Sequence, residues 1–299
     1  MIENAKDAKE QMRSDRIDVK ASPARASISE ENYGFLQRHV YNASGIVLDA
    51  SKHYLIDSRL TPLLRSERLQ SLDELCQRIC GNTTSQLSRR VVEAMTTNET
   101  LFFRDMAIFD ALRRQIIPRL IAAKARGQKL SIWSAAASTG QEAYSLGMTL
   151  LEMGVSPSDV EILGTDLSEQ VLERARSGRY VQIEVNRGLP SPYLLKYFHQ
   201  TGLEWEIKEV LRKMVTFRSI DLRQDMRRLG PFDLVLCRNV LIYFDVETKK
   251  SILDQIRRVL QPDGVLVLGC AETIINIHDG FKPETVGSAI VYAARKGGN

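Results

Sequence analysis

The sequence has few cysteines, and their positions exclude two classes of protein. Only four of the 299 residues are cysteine, at Cys76, Cys80, Cys237 and Cys270. Four are too few for a disulfide scaffold in a chain of this length, and their spacing matches no metal-binding motif, so we expect no metal. Cys76 and Cys80 lie four residues apart on a predicted helix, where free cysteines are usually buried or half-buried. We therefore expect reduced thiols and a cytoplasmic protein.

The sequence also lacks a long hydrophobic run. No apolar stretch approaches the roughly 20 residues that cross a bilayer, so we expect no insertion into a membrane. Residues 1–27 contain no apolar core of the kind found in secretory signals. We expect a flexible segment there, with the first helix beginning just after it.

The net charge of +4 is unevenly distributed along the chain. Residues 1–129 contain 21 Lys and Arg against 16 Asp and Glu, whereas residues 130–299 contain 20 against 21. The positive excess therefore lies in the first part of the chain. It is too small to predict binding to nucleic acid, but it favours an acidic protein partner.

Residues 28–95 have the apolar spacing of α-helices. Apolar residues recur at steps of three and four in ENYGFLQRHVYNASGIVL, YLIDSRLTPLLRSERL, SLDELCQRIC and SQLSRRVVEAM. Turn-forming residues separate these segments, with Ser71 as the expected N-cap of the third. The sequence therefore predicts a small all-helical domain over 28–95 and a second domain over 96–299.

From residue 130 onward, strand-like runs alternate with helical ones. The runs LSIWSA, VEILGTD, VTFRSID, FDLVLCRNV and VLVLGC predict an α/β fold with a doubly wound, mostly parallel sheet. QPDGVLVLG supplies a turn and a strand, and AIVYAAR follows with no helix between them. This predicts an antiparallel hairpin at one sheet edge, a feature of methyl-transfer folds. Ligands bind such sheets beyond the carboxyl ends of the strands, near the point where the strand order reverses.

The loop after the first predicted strand, AASTGQEAYS, contains a single glycine, Gly140. A dinucleotide site needs the pattern G-x-G-x-x-G, because only glycines let the backbone approach a pyrophosphate closely. The sequence therefore favours a cofactor without a diphosphate.

Acidic residues stand at the ends of the predicted strands and at the start of one helix. Asp166 ends the second strand and can accept hydrogen bonds from both hydroxyls of a ribose. It could instead cap the next helix, although Ser168 is the better N-cap. Asp221 closes the third strand and can reach an adenine amino group or serve as a turn residue. Glu142 can bind a ligand amino group or favour the helix dipole.

Arg238 and Asn239 follow the fourth strand, where a cofactor would meet its substrate. A carboxylate for a ribose, a polar group for an adenine and no phosphate-binding loop together describe S-adenosylmethionine. The residues alone therefore indicate a methyl-transfer site.

Five stretches resemble one known family. TTNETLFFRD, IWSAAASTGQEAYS, GTDLS and FDLVLCRNVLIYFD with QPDGVLVLG are similar to the chemotaxis receptor methyltransferases of the CheR type, from about residue 28 onward. The resemblance implies a class I, Rossmann-like S-adenosylmethionine-dependent methyltransferase with an all-helical N-terminal domain. It also implies methyl transfer to glutamate side chains of chemoreceptors, which gives γ-glutamyl methyl esters.

The resemblance also implies which residues act. It assigns cofactor contacts to Asn98, Thr100, Arg104, Glu142, Asp166, Asp221, Leu222, Arg238 and Asn239, and it places Arg104 and Tyr243 at the reacting carboxylate. The sequence departs from the family at Gln141 and Ala143, where glutamate and proline are common. Asp221 stands where asparagine is also common.

The stretch TTNETLFFRD joins the two predicted domains. We expect Phe102 and Phe103 to anchor it by packing inward and Arg104 to project towards the mouth of the sheet. The alternative for Arg104 is a surface ion pair with Asp105 or Glu99, which would have little energetic consequence.

The helical domain carries a candidate docking surface for an acidic receptor helix. Lys52 and Arg59 lie seven residues apart on one predicted helical face, and Arg65 extends the row; a solvated face is the alternative. Between residues 179 and 216 lies an insertion that, by resemblance, forms a small β-subdomain with strands from QTGLEWEIK and VTF. In some members of the family this subdomain binds a receptor pentapeptide by adding a strand.

Two other functions remain open from the sequence. The same fold could methylate another protein carboxylate or a small acid, or it could serve as a non-catalytic cofactor-binding module in signalling. The expected partners are the cytoplasmic domains of chemoreceptors, and the expected state is a monomer.

Overall fold

The computed structural model describes residues 28–49 and 53–295. Its first four helices form a bundle: α1 (Glu30–Ser44), α2 (His53–Glu67), α3 (Leu72–Cys80) and α4 (Gln86–Met95). Each helix buries one apolar face in a common core, through residues such as Leu36, Leu60, Leu75 and Val91. Ser71 caps α3 as predicted, because its hydroxyl accepts a hydrogen bond from the Glu74 amide. The predicted flexible segment, residues 1–27, lies outside the described residues.

The linker is the stretch TTNETLFFRD, residues 96–105. A helical rod follows it and was not predicted from the sequence. It consists of α5 (Met106–Ala111), a π-helical turn (Leu112–Ile116) and α6 (Ile117–Ala122). Ile108, Phe109 and Leu112 are buried in the core beside the sheet. Residues 105–124 have the apolar spacing of a helix. No predicted strand comes directly before them, so no strand end marks where this helix begins.

The described residues form ten strands and six further helices. The strands are β1 (Leu130–Ala135), β2 (Val160–Asp166), β3 (Arg179–Val181), β4 (Phe198–Thr201), β5 (Glu204–Ile207), β6 (Val215–Ser219), β7 (Phe232–Cys237), β8 (Leu260–Leu268), β9 (Phe281–Val286) and β10 (Ala289–Ala294). The helices are α7 (Gln141–Glu152), α8 (Glu169–Ser177), α9 (Gln182–Asn186), α10 (Ser191–Tyr197), α11 (Glu209–Arg212) and α12 (Val246–Val259).

Seven strands form the central sheet in the order β6-β2-β1-β7-β8-β10-β9. The first five are parallel, and the chain order reverses between β1 and β7. Alternate residues of each strand point to opposite faces, so Ile132 packs under α7 and α8 while Trp133 packs under α12. The predicted doubly wound, mostly parallel sheet is therefore confirmed, and its switch point lies between β1 and β7.

The end of the chain differs in one respect from the prediction. AIVYAAR forms β10, which is antiparallel to β8 as expected, but the hairpin joins β10 to β9 and β9 forms the sheet edge. Strand β9 reads FKPETV, and its proline and charged side chains conceal it from a search for apolar runs. Residues 261–264, predicted as a turn, fall inside β8, whose register with β7 shifts between Phe232 and Leu234.

The insertion forms a second sheet with the order β3-β5-β4, antiparallel throughout. QTGLEWEIK supplies β4 and β5 as expected, but VTF belongs to β6 of the central sheet. The third strand is instead Arg179–Val181, which pairs with β5. Within the described part of the chain, none of the helices is both long enough and apolar enough to cross a bilayer.

Candidate active site

A cleft opens at the carboxyl ends of β1, β2, β6 and β7, beside the switch point of the sheet. Every residue that the sequence assigned to cofactor contact or catalysis lines this one cleft: Asn98, Thr100, Arg104, Glu142, Asp166, Asp221, Leu222, Arg238, Asn239 and Tyr243. Ser44, the last residue of α1, and Ile46, two residues after it, complete the wall. The cleft therefore lies where a doubly wound sheet is expected to bind a ligand, and both parts of the chain contribute to it.

Two aromatic rings hold the linker in place, as the sequence predicted. Phe102 is fully buried and makes edge-on contacts with Tyr180 and Phe198, with ring centroids 5.0 and 5.7 Å apart. Phe103 packs in the same way against Phe109 and Tyr193, and its amide donates to the hydroxyl of Ser145. Each buried aromatic contributes a few kcal/mol of apolar burial, on the order of 3. The rings therefore fix the backbone from which Arg104 projects.

Arg104 lies half-buried in the cleft, where its Nη1 donates to the Glu99 carbonyl at 3.2 Å. Both carboxylates that were candidates for a surface ion pair bind other arginines. Glu99 pairs with Arg187, and Asp105 pairs with Arg238. The guanidinium of Arg104 therefore keeps most of its donors for a ligand in the cleft.

Asp166 ends β2 with its carboxylate oriented by two backbone amides. One oxygen accepts from Ser138 at 2.9 Å and the other from Ser168 at 3.0 Å. Burial raises the pKa of Asp166, although these hydrogen bonds oppose the rise. Ser168 caps α8 through the Val171 amide, so the alternative role of Asp166 as the N-cap is wrong. Each oxygen retains a lone pair for a further donor.

The part of the chain that follows the linker and contains the central sheet is called the sheet unit. A buried ionic cluster connects its helix α7, the linker and the end of β7. Arg238, whose side chain is 2% exposed, donates to Glu142 at 2.8 Å, to Asp105 at 2.5 Å and to the Arg104 carbonyl at 2.9 Å. Glu142 also accepts from the Ser134 hydroxyl at 2.7 Å. One buried cation thus faces two carboxylates, so the cluster carries a net negative charge. Such a cluster favours a cationic group in the adjacent cleft.

The side chain of Arg238 also has a hydrogen-bond donor without a partner. Its Nε is buried and makes no hydrogen bond within the described residues. An unmade bond at a buried polar atom costs about 1–3 kcal/mol, which is tolerated chiefly at functional sites.

Asp221 is held more firmly than the sequence suggested. Its two oxygens accept four hydrogen bonds from Arg223, at 2.7–3.1 Å. The backbone amide and Nη2 donate one each, and Nε donates to both oxygens. A carboxylate has about four lone-pair positions, so this arginine occupies them. Asp221 lies in the cleft wall, but its carboxylate is already bound.

The loop after β7 depends on a carboxylate that the sequence did not reveal. Glu272 accepts hydrogen bonds from the amides of Asn239, Val240 and Gly269 at 2.6–3.0 Å, and a longer one from Ile242. These bonds hold Asn239 in the left-handed region, at φ 57°, which an isolated residue rarely adopts. Glu272 therefore fixes the loop that carries Asn239 and Tyr243. Its position four residues past Leu268, where β8 ends, was the available signal in the sequence.

The predicted docking row is only partly described. Lys52 lies outside the described residues. Arg59 does not point outward: its guanidinium donates to the Met95 carbonyl at 2.6 Å and to the Thr97 hydroxyl at 2.7 Å. It therefore holds the beginning of the linker, while Arg65 is exposed on the same helix.

The sequence matches two family models that together cover most of the chain. Residues 31–96 match the all-alpha domain of CheR methyltransferases, and residues 98–290 match the S-adenosylmethionine-binding domain of CheR methyltransferases. The boundary between the two matches falls in the linker beside the cleft.

Curated relatives match over nearly their full lengths. "Chemotaxis protein methyltransferase 1" of Pseudomonas aeruginosa is 43% identical over 84% of this chain and 93% of its own. "Chemotaxis protein methyltransferase Cher2" of Pseudomonas putida is 40% identical over 90% of this chain and 100% of its own. The "Chemotaxis protein methyltransferase" of Vibrio parahaemolyticus is 38% identical over 89% of this chain and 98% of its own.

The substitution Glu272→Gln tests the hydrogen bonds that fix the loop after β7. In either orientation, the amide nitrogen of glutamine would face backbone N–H groups that now donate to an oxygen. We expect faster hydrogen exchange at residues 239–242 and a free energy of unfolding lower by about 1–3 kcal/mol. The matched control is Glu247→Gln on α12, where the side chain is 83% exposed. Unchanged exchange at 239–242 would contradict the role of Glu272.

Proposed function

The chain belongs to the CheR methyltransferase family, and we propose that its cleft binds S-adenosylmethionine and methylates glutamate side chains of chemoreceptors. The chain is a S-adenosylmethionine-dependent methyltransferase of chemotaxis, as its family models and relatives show. The residues that bind and react, and the glutamate acceptor, are the proposal. The observation that carries it is the convergence, on one cleft at the switch point of the sheet, of the ten residues that the family resemblance assigned to cofactor or acceptor.

The chemistry of the cleft fits the cofactor. The negative cluster of Glu142, Asp105 and Arg238 suits the cofactor's ammonium group, and Arg104 suits its carboxylate or that of the acceptor. Asp166 has one lone pair free on each oxygen for the two ribose hydroxyls. The unpartnered Nε of Arg238 is a further donor at the same wall.

When bound, S-adenosylmethionine supplies a methyl group on a cationic sulfur, and the carbon–sulfur bond breaks as the acceptor oxygen bonds to that carbon. The acceptor glutamate is ionised at neutral pH and is itself the nucleophile, so no residue of the chain needs to act as a general base. Catalysis then depends on alignment of the reacting atoms.

Two side chains are placed to align the acceptor. Arg104 projects from the anchored linker and can hold one carboxylate in fixed geometry through its planar donors. Tyr243, at the end of the short 3₁₀ turn Leu241–Tyr243, lines the same cleft, and its hydroxyl is the second group proposed to orient the acceptor or the cofactor. The buried phenylalanines behind Arg104 and the Glu272 hydrogen bonds behind Tyr243 keep both positions rigid.

We infer that the acceptor approaches over the linker. A surface groove beside it is lined by Arg59, Arg90, Glu93, Thr97 and Gln170, and it shares residues 96–98 with the cleft. Arg59 supplies positive charge for an acidic receptor segment and holds the linker at the same time, whereas Arg90 is already paired with Glu67. This groove gives the helical bundle a role in selecting the acceptor.

One assay tests the proposed reaction. The chain is incubated with radiolabelled S-adenosylmethionine and a receptor cytoplasmic fragment, and the label released as methanol in mild base is measured. We expect base-labile label on the fragment and none on a matched fragment whose acceptor glutamates are replaced by alanine. Label on other acceptors alone, or cofactor binding with no transfer, would contradict the glutamate proposal.

Asp166→Asn tests the ribose contact. The asparagine nitrogen would face one of the two backbone amides that now donate to the carboxylate, and one acceptor for a ribose hydroxyl would be lost. We expect the dissociation constant for S-adenosylhomocysteine to rise at least tenfold, equivalent to about 1.4 kcal/mol. Isothermal titration calorimetry measures it, with the exposed Asp225→Asn as the control. Wild-type affinity in Asp166→Asn would remove Asp166 from the site.

Arg104→Ala tests the alignment of the acceptor. Loss of one oriented, charged contact should lower turnover at least tenfold, or about 1.4 kcal/mol in the barrier. Arg113→Ala is the matched control, because that arginine is exposed on the helical rod after the linker. Turnover at the wild-type rate in Arg104→Ala would exclude Arg104 from the mechanism.

A further inference from the structure

Two Asp-x-Arg pairs lie four residues apart in the segment after β6. Asp225 accepts from the Arg227 backbone amide, Nε and Nη2 in the same pattern that Asp221 accepts from Arg223. The corresponding distances agree to within 0.1 Å: the backbone bonds are 3.0 and 2.9 Å, and the Nη2 bonds are both 2.7 Å. The two pairs are therefore locally equivalent.

Among the described residues, only the first pair binds another part of the molecule. Arg223 Nη1 donates to the carbonyls of Tyr41 and Asn42 at 3.2 Å, and its Nη2 donates to the Ala43 carbonyl at 2.8 Å. These three carbonyls are in the last turn of α1, where a helix has a partial negative charge and its final carbonyls lack helical partners; of the three, Tyr41 also accepts from the Gly45 amide at 2.7 Å. The side chain of Arg223 is 26% exposed, against 75% for Arg227. Arg223 thus caps a helix of the bundle from the sheet unit.

The segment that Arg223 fastens forms part of the cleft. Ser44 and Ile46 line the cleft directly after the three bound carbonyls. Gly45 lies between them at φ 76°, and a Cβ there would come within 2.8 Å of Arg223 Cδ and 3.1 Å of the Phe244 ring. The backbone therefore passes very close to the arginine.

Two other bonds join the same segment to the sheet unit. The Tyr41 hydroxyl donates to Asp245 at 2.7 Å, and the Val47 amide donates to the Tyr243 carbonyl at 2.9 Å. The second bond reaches the backbone of a residue assigned to catalysis. Arg223 makes three hydrogen bonds to this segment, whereas Asp245 and Tyr243 accept one each.

We propose that Arg223 is a positioning residue that fastens the end of α1 over the cleft, so that cofactor affinity depends on docking of the helical bundle. Asp221, whose acceptor positions Arg223 occupies, orients the guanidinium. The proposal rests on binding of the cofactor in this cleft, which is part of the proposed function. It adds that the bundle is part of the cofactor site as well as a surface for the acceptor.

The experiment compares Arg223→Ala with Arg227→Ala in the full chain. Both variants remove an arginine from the same Asp-x-Arg arrangement, but only the first releases the helix. For Arg223→Ala we expect the dissociation constant for S-adenosylhomocysteine and the KM for S-adenosylmethionine to rise at least tenfold. The kcat at saturating cofactor should stay within twofold, and hydrogen exchange should accelerate at residues 41–47 but not in β1 or β7.

Arg227→Ala should match the wild type in all these measurements. Arg223→Lys, which cannot span three carbonyls and Asp221 with one ammonium group, should give an intermediate loss of affinity, and it carries the test if the alanine variant does not fold. Wild-type affinity and wild-type exchange at 41–47 in Arg223→Ala would overturn the proposal, as would an equal loss in Arg227→Ala. A wild-type chain that binds no S-adenosylhomocysteine would contradict the proposed function instead, and exchange at 41–47 would then decide the role of Arg223.

Discussion

The buried guanidinium of Arg238 is the interaction on which the site depends. It joins the end of β7 to two segments distant in sequence, because it binds Glu142 of α7 and, at the end of the linker, both Asp105 and the backbone of Arg104. A buried cation is costly unless it is paired, and two carboxylates around one arginine satisfy that requirement while leaving negative charge in excess. The two carboxylates that make burial of Arg238 possible therefore also give the cleft a wall that suits a cation.

The residues that could be predicted from the sequence are those that follow strand ends. Asp166, Arg238 and Asn239 stand where strands of a parallel sheet end, and a doubly wound sheet brings those ends together. Strand boundaries for β1 and β2 were predicted correctly, because both strands carry apolar residues on both faces and are bounded by turn residues. The fold and the location of the cleft therefore follow from local patterns.

Partners of charged side chains could not be predicted in the same way. Helical spacing placed Arg59 on a face of α2, but it does not specify that the guanidinium turns to the Thr97 hydroxyl. The sequence likewise does not specify that the oxygens of Asp221 bind its neighbour Arg223. Strand β9 was missed because an edge strand with a proline lacks an apolar pattern. Each miss concerns a contact or element determined by tertiary structure.

The helical bundle and the sheet unit meet at the cleft through bonds on both sides of it. On one side, the Ser138 hydroxyl donates to the Asn98 carbonyl and Arg59 holds Thr97; on the other, the Val47 amide binds the Tyr243 carbonyl. The linker and the end of α1 are therefore both walls of the cleft and connections between the two parts of the chain. A displacement of the bundle would move Arg104 and Tyr243 relative to each other, since each is adjacent to one of these connections. If the acceptor docks on the bundle as proposed, it acts on the same contacts that position Arg104 and Tyr243. Selection of the acceptor and alignment of the reacting groups would then have a common structural basis.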